Sequence, residues 1–410
     1  MRSLWMALAG LLAAVLVWVG IVDGYFEGAA LQPSARPGAM RPLAVDRTLN
    51  TVNTTRIGSD DPVETAVAVA QIIYPVTEDE NAPGAVVLIN RSQLAEGMAA
   101  ASRVQHFPVN APLLYVDENS IPPLTRGELP RLKPEGVPMD GNTQVYLVGT
   151  ISDAVRREVE GLGYRVRVLR APDPVALTEV LDDWSSTQHG DHPNVVVVVN
   201  LDRLLLGLPS AFWNAHMGDG LEFVTDQGIP DATRRILARR ANGPWLYLFG
   251  DETVIPASIA RELATYGQVT RMPKRELPDI SAYFSGFKDL GANWGAWYVQ
   301  DARDFGWGIS EAGHNAIFAN VDGPGGWQNA LPATTLSHMG KHAPVLFVSR
   351  DAVPEAVANY LSILKPYPTA PEQQLLNHGW IIGGEGTISW PTQAALDLML
   401  EGQMATGAGR

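Results

Sequence analysis

Val116-Asp117-Glu118-Asn119-Ser120-Ile121-Pro122 closes an apolar run and ends on proline, and the same design occurs three times in the chain. It returns as Val224-Thr225-Asp226-Gln227-Gly228-Ile229-Pro230 and as Val348-Ser349-Arg350-Asp351-Ala352-Val353-Pro354, at spacings of 108 and then 124 residues. Each proline opens a helical stretch, where its fixed φ is suitable and the N–H it lacks would be unpaired anyway. Upstream of each lies an apolar run closing on asparagine: Val86 to Asn90, Val195 to Asn200 and Ile317 to Asn320. Downstream, each copy has a strand ending in glycine: Tyr146 to Gly149, Leu246 to Gly250 and Trp380 to Gly384.

The period reads strand, helix, strand, proline-opened helix, strand, glycine turn, helix, strand, with a linking helix into the next copy. Asp61-Pro62-Val63, Asp173-Pro174-Val175 and Leu277-Pro278-Asp279 precede the linking helices. Continuous apolar runs such as Val195 to Val199 suit strands of a parallel sheet covered on both faces. The expected fold is therefore α/β, with three tandem Rossmann-like parallel-sheet repeats in a pseudo-threefold arrangement, preceded by one N-terminal transmembrane helix. The segments are 1–24 as membrane anchor, 25–50 as a Pro/Gly-containing linker, 51–170, 171–276 and 277–402 as the repeats, and 403–410 as a tail.

Residues 4–22 carry no ionisable side chain, enough for a helix to cross the roughly 30 Å hydrocarbon core. Arg2 precedes the run and Asp23 and Glu27 follow it, which places the N-terminus in the cytoplasm and the remainder outside the membrane, extracellular or periplasmic. A cleaved signal peptide, with Gly28-Ala29-Ala30 as its small-residue site, is the competing reading. The net charge of −14 provides no broad positive field for nucleic acid, and the absence of cysteine excludes disulfides and thiolate metal sites.

Arg56-Ile57-Gly58-Ser59-Asp60-Asp61-Pro62-Val63-Glu64-Thr65-Ala66 resembles the opening motif of the cell wall binding repeat 2 family, Arg-Ile-x-Gly-x-Asp-Arg-Tyr-x-Thr-Ala. Arg56, Ile57, Asp61, Thr65 and Ala66 match, Ser59 stands for its Gly, and Pro62 and Val63 stand for its Arg and Tyr. Ala111-Pro112-Leu113-Leu114, Ala343-Pro344-Val345-Leu346 and Ile382-Gly383-Gly384 with Ile388-Ser389 are similar to further family motifs. On the first helix the family has Asp-Ala-Leu, where this chain has Glu96-Gly97-Met98, Leu206-Gly207-Leu208 and Asn329-Ala330-Leu331. The resemblance covers residues 51 to 402 and implies three tandem modules that attach noncovalently to anionic cell-wall polysaccharide.

The candidate ligand-binding residues are Arg56, Asp61, Thr65, Glu96 and Asn329 from that resemblance, Arg234 and Arg235 from an arginine row with Arg239 and Arg240, and Trp294 and Trp297 from an aromatic insert. The arginine row reads equally as a solvated helix face, and the insert, with Phe305 and Trp307, as a satellite core. His338 and His342, like His189 and His192, have metal-compatible spacing without a third ligand nearby, so no metal is assigned. No nucleophile elbow, phosphate loop or zinc-protease motif is present, and no cofactor or catalytic residue is assigned. Asp117, Asp202, Asp226, Asp251 and Asp322 fall at or near strand ends. The sequence thus leads to a non-enzymatic, membrane-anchored surface protein whose partner is an anionic envelope polysaccharide or an envelope protein. A scaffold in an envelope complex and an exported carbohydrate-active enzyme are the rival readings.

Overall fold

The computed structural model describes residues 50–401 except 78–80, 107, 191, 241–242, 290–304, 339–340 and 366–375. The expected anchor at 4–22 and the pair Trp294 and Trp297 lie outside these residues. Among the described residues no helix is long and apolar enough to cross a membrane.

In chain order the elements are β1 (Thr54–Ile57), α1 (Pro62–Ile73), β2 (Val86–Asn90), α2 (Leu94–Arg103), β3 (Leu113–Val116), α3 (Pro123–Leu132), β4 (Val145–Val148), α4 (Asp153–Gly161) and β5 (Val166–Leu169). There follow α5 (Pro174–His189), β6 (Val195–Asn200), α6 (Leu208–Met217), β7 (Gly220–Val224), α7 (Asp231–Ala238), β8 (Trp245–Phe249), α8 (Ala257–Leu263) and β9 (Gln268–Met272). The last group is α9 (Leu277–Gly286), β10 (Asn315–Ala319), α10 (Trp327–Ala330), α11 (Thr334–His338), β11 (Val345–Phe347), α12 (Glu355–Ile363), β12 (His378–Ile382) and α13 (Trp390–Leu400).

These strands form three parallel four-stranded sheets in the orders β3-β2-β4-β5, β7-β6-β8-β9 and β11-β10-β12-β1. The third order shows how the body closes. Strand β1 opens the first copy in sequence but pairs with β12, from Thr54 opposite Gly379 to Ile57 opposite Ile382. The chain's first described strand therefore supplies the fourth strand of the last sheet, as β5 and β9 do for the sheets before it.

The valine run of β6 shows why its pattern is continuous. Val195, Val197 and Val199 enter the large core shared by all three sheets, while Val196 and Val198 enter a second core with Leu237, Leu246, Leu248 and Ile259 on the opposite face. Alternation persists, but both faces are dry. In the middle of the body α2 packs on α6, and α6 on α11. Gln105, just beyond α2, bonds both Thr334 (2.8 Å) and Thr335 (2.6 Å) at the start of α11.

The three prolines occupy equivalent entrances. Pro122, Pro230 and Pro354 are the residues immediately before α3, α7 and α12, with φ of −55°, −62° and −59° and ψ of 142°, 153° and 148°. They sit at the cap, one position earlier than the first-turn position the sequence suggests. A cap N–H is also outside the intrahelical ladder, so the same physical reason applies. Thr125 and Thr233, three residues further on, donate to the carbonyls of Tyr115 and Phe223, both at 2.7 Å.

Candidate functional site

In parallel α/β folds ligands lie beyond the carboxyl ends of the strands, so those ends come first. Each copy closes that rim with its own asparagine. Asn90, Asn200 and Asn320 donate to the carbonyls of Thr150 (3.0 Å), Val254 (2.6 Å) and Thr387 (2.8 Å), in the turn after the third strand. Their Oδ1 atoms accept from the backbone N–H groups of Ser92, Asp202 and Asp322. Glycine precedes each turn with left-handed φ, 82° at Gly149, 128° at Gly250 and 94° at Gly383.

The residues nominated by the family motif fasten the same rim. Arg56 is buried; its Nε donates to Gln393 (3.0 Å), and its Nη atoms to the carbonyls of Gly383 (2.8 Å), Gly384 (2.8 Å) and Ile388 (2.7 Å). Asp61 caps α1, accepting from Val63 N (2.8 Å) and Glu64 N (3.1 Å). Thr65 is buried and donates to the carbonyl of Ser59 at 2.9 Å. Glu96, also buried, accepts from the N–H (2.7 Å) and hydroxyl (2.6 Å) of Thr150. Asn329 donates to Pro324 O at 2.8 Å, while its buried Oδ1 has no hydrogen-bond partner.

The arginine row on α7 is ion-paired with carboxylates on an exposed surface. Arg234 pairs with Glu262 (2.7 Å) and Asp231 (3.2 Å), Arg235 with Glu179 (2.6 Å), and Arg239 with Glu179 (2.7 Å) and Asp183. The Arg235 hydrogen bond holds Glu179 below its ordinary carboxylate range. Deeper in, Asp182 lies 2.6 Å from Arg103, 2.7 Å from Arg240 and 2.8 Å from His192. Burial alone would raise this carboxyl, but Arg240, His192 and Arg103 outweigh it and hold Asp182 well below the usual range. Glu222 beside them lacks a direct cation partner of that kind; burial, with Asp182 adding to it, pushes its carboxyl up to about 8.

Four of the strand-end aspartates are similarly engaged: Asp117 with Arg91 (2.7 Å), Asp202 with Asp226 N (2.8 Å), Asp226 with Asn200 (2.7 Å) and Arg203 (3.3 Å), and Asp251 with Thr253 (2.6 Å). At the base of the aromatic insert, Asp289 and Phe305 exchange both backbone hydrogen bonds (2.8 and 3.0 Å). Phe305 and Trp307 are buried in a ring cluster with Trp213 and belong to the large shared core, so those two are core residues but not a satellite of it. Among the described residues no group of three or more His, Asp or Glu side chains is placed to hold a metal ion.

The three copies differ where each linking helix meets the following proline-capped helix. These seams are α1 with α3, α5 with α7, and α9 with α12. The prolines set a common register: Pro62, Pro174 and Pro278 on the linking helices, and Pro122, Pro230 and Pro354 before their partners. In the second seam Glu179, five beyond Pro174, meets Arg235, five beyond Pro230; Asp183 meets Arg239 at nine. In the first seam Gln71 donates to the buried Glu128 (3.2 Å), which Arg131 also binds (2.9 Å) while reaching Tyr74 O (2.9 Å). The third seam has Tyr283 and Phe287 opposite Asn359 and Ile363 at those positions, and it stays open as a cavity of about 540 Å³. Lys274 and Lys288 line it, and the Lys274 ammonium lies 5.6 Å from the Tyr283 ring centre. Tyr360 directs its hydroxyl inward to Ile309 O at 3.0 Å. None of these groove residues stands out in the sequence; the signal appears only when the copies are superposed on their prolines.

The architecture has solved counterparts. Two cell wall proteins match in structure: Cwp8 from Clostridium difficile, at TM-score 0.64 and 16% identity, covers 86% of this chain and 52% of its own. Cwp6 from Clostridium difficile matches at TM-score 0.60 and 15% identity, covering 83% of this chain and 48% of its own. The chain thus spans about half the length of these structures, and at such identities the likeness is one of fold. No protein-family model matches the sequence, and a search of curated proteins returns no match.

Proposed function

We propose that the protein is a cell-wall-associated surface protein that holds an envelope polysaccharide noncovalently and does not transform it. The observation that carries this reading is the contrast between rim and seam. At the strand ends, asparagines, Glu96 and Arg56 bind the protein's own turns, whereas the α9/α12 seam keeps an open groove with aromatic walls. Its volume falls within the roughly 300–1,000 Å³ of ordinary small-molecule sites. An aromatic-walled trough suits a sugar ring, which presents an apolar face and polar edges. The fold shared with two cell wall proteins supports the location, and the apolar residues 4–22 support attachment to the membrane.

The test is co-sedimentation of the purified full chain with insoluble wall material from the source organism, with the supernatant assayed for released sugar. Retention without release is the expected outcome. Release of soluble sugar would make the protein an enzyme, and failure to sediment would remove the wall as its ligand.

A further inference from the structure

We infer that the third seam is, among the described residues, the one polysaccharide subsite and that it takes an anionic sugar residue, with Tyr283 and Phe287 as the stacking wall and Lys274 and Lys288 reading the negative group. The inference rests on the polysaccharide-binding reading above and gives it a place and a stoichiometry, the anionic class of ligand being what the family resemblance already implies.

Three observations lead there. The first is the comparison of seams within one molecule. In the second copy the positions five and nine beyond the prolines hold side chains that bind each other across the seam, and in the first copy Gln71, nine beyond Pro62, bonds Glu128, six beyond Pro122. In the third copy these positions carry the uncharged Tyr283, Phe287, Asn359 and Ile363, all of which line the open groove. Gly286, eight beyond Pro278, adds to the opening, because its counterpart in the second copy is the buried Asp182. Ile363 is left 62% exposed at the groove's lip, where its counterpart Arg239 is ion-paired.

The second observation is charge. The chain has net charge −14 and only five lysines, and two of those five line this groove. Asp279, in the first turn of α9, is the one carboxylate among the lining residues, so cations outnumber anions there. A local positive site in an otherwise acidic protein draws an anion within about 10 Å at ordinary salt and repels it elsewhere. The third is the platform. Tyr283 and Phe287 lie one helical turn apart as a stacked pair, with ring centres 5.7 Å from each other and planes 27° apart, and both line the groove. A carboxylate or phosphate on the sugar meets the lysines while the ring lies against this aromatic wall.

The seam register supplies the test. Tyr283→Glu combined with Asn359→Arg transplants the Glu179–Arg235 pair of the second copy into the third. Gly286→Leu fills the groove from one wall, and a Cβ there would meet Tyr360 at an ordinary 3.5 Å. The full chain, its variants and Lys274→Ala are titrated with acidic and neutral fractions of envelope polysaccharide from the source organism, separated by anion exchange. Thermal midpoints are recorded for every variant.

Wild type is expected to bind the acidic fraction at one site per chain and to release it as salt rises to about 0.5 M. The transplant and Gly286→Leu should each lose at least about tenfold in affinity with unchanged thermal midpoints, and Lys274→Ala somewhat less. Wild-type-like binding by both groove-closing variants, equal binding of the neutral fraction, or three sites per chain would overturn the subsite while leaving polysaccharide binding intact. Binding of neither fraction by wild type would remove the underlying reading and the subsite with it.

Discussion

Arg56→Ala should open the body where its first described strand meets its last sheet. The guanidinium is buried and ties β1 to the Gly383-Gly384 turn and to Ile388 and Gln393, more than 320 residues away in sequence. Removing it leaves three backbone carbonyls without this donor, at about 1–3 kcal/mol for each that stays unsatisfied. Relief of the desolvation of a buried cation, and water entering the vacated space, offset part of that loss. The net cost is therefore about 3–5 kcal/mol. Arg271, at the matching register of β9, is an internal control. It reaches only the carbonyls of Gly250 (2.8 Å) and Asp251 (2.9 Å) and is less buried, so Arg271→Ala should cost about 1–2 kcal/mol. Urea unfolding followed by tryptophan fluorescence gives the magnitudes, and hydrogen exchange of peptides spanning 378–388 gives the location. An Arg56→Ala loss below about 1 kcal/mol, or increased exchange spread evenly over all three sheets, would refute ring closure by this residue.

The remaining predictions concern caps and buried titrating groups. Asp61→Ala should lower stability by about 1 kcal/mol through loss of the α1 cap and leave polysaccharide retention unchanged; calorimetry and the sedimentation assay check both halves. Glu222 has its carboxyl raised from 4.5 to about 8 in the fold, so its stabilisation is full below pH 4.5 and is lost as pH rises towards 8. Glu222→Gln should remove that decline, a difference of roughly 3 kcal/mol in stability slope integrated from pH 5 to 8 by denaturant titration. His338 shows the opposite sign. Burial lowers its imidazole from 6.5 to about 4, so stability is full above pH 6.5 and falls as pH drops through 4, and His338→Asn should flatten that acid limb by up to about 3 kcal/mol.

The repeat was legible because local chemistry marks it. A proline before a helix, an asparagine after a strand and a glycine in a turn each answer a nearby backbone need, so they recur wherever the backbone does. Pro122, Pro230 and Pro354 do so within a few degrees. The placement of β1 was not legible in this way. Its pairing with β12 spans more than 320 residues, and nothing in Thr54–Ile57 distinguishes a strand that adds to the next sheet from one that closes the last. The motif residues Arg56, Thr65 and Glu96 were nominated as ligand-binding from the family resemblance. A guanidinium or carboxylate that could grip a ligand can equally grip a carbonyl or an N–H, and here each grips its own chain.

The groove was missed for a related reason: it is made by what the third copy lacks. Sequence reading weights charged side chains, and so it selected Arg234 and Arg235, whose charges are matched by Glu262 and Asp231 and by Glu179. Asn359 and Gly286 carry no such signal, yet they stand where Arg235 and Asp182 stand in the second copy. Comparing copies separates two demands on the chain. The asparagine at the strand end and the left-handed glycine are present in all three, because every sheet needs its rim tied. The seam positions differ in chemical type in every copy, so folding tolerates an amide and carboxylate, an ion-pair ladder or an open aromatic wall there. A position free of the fold's demands in three separate settings is where one copy can acquire a ligand without loss of structure, and the third seam presents rings at such positions with lysines beside them.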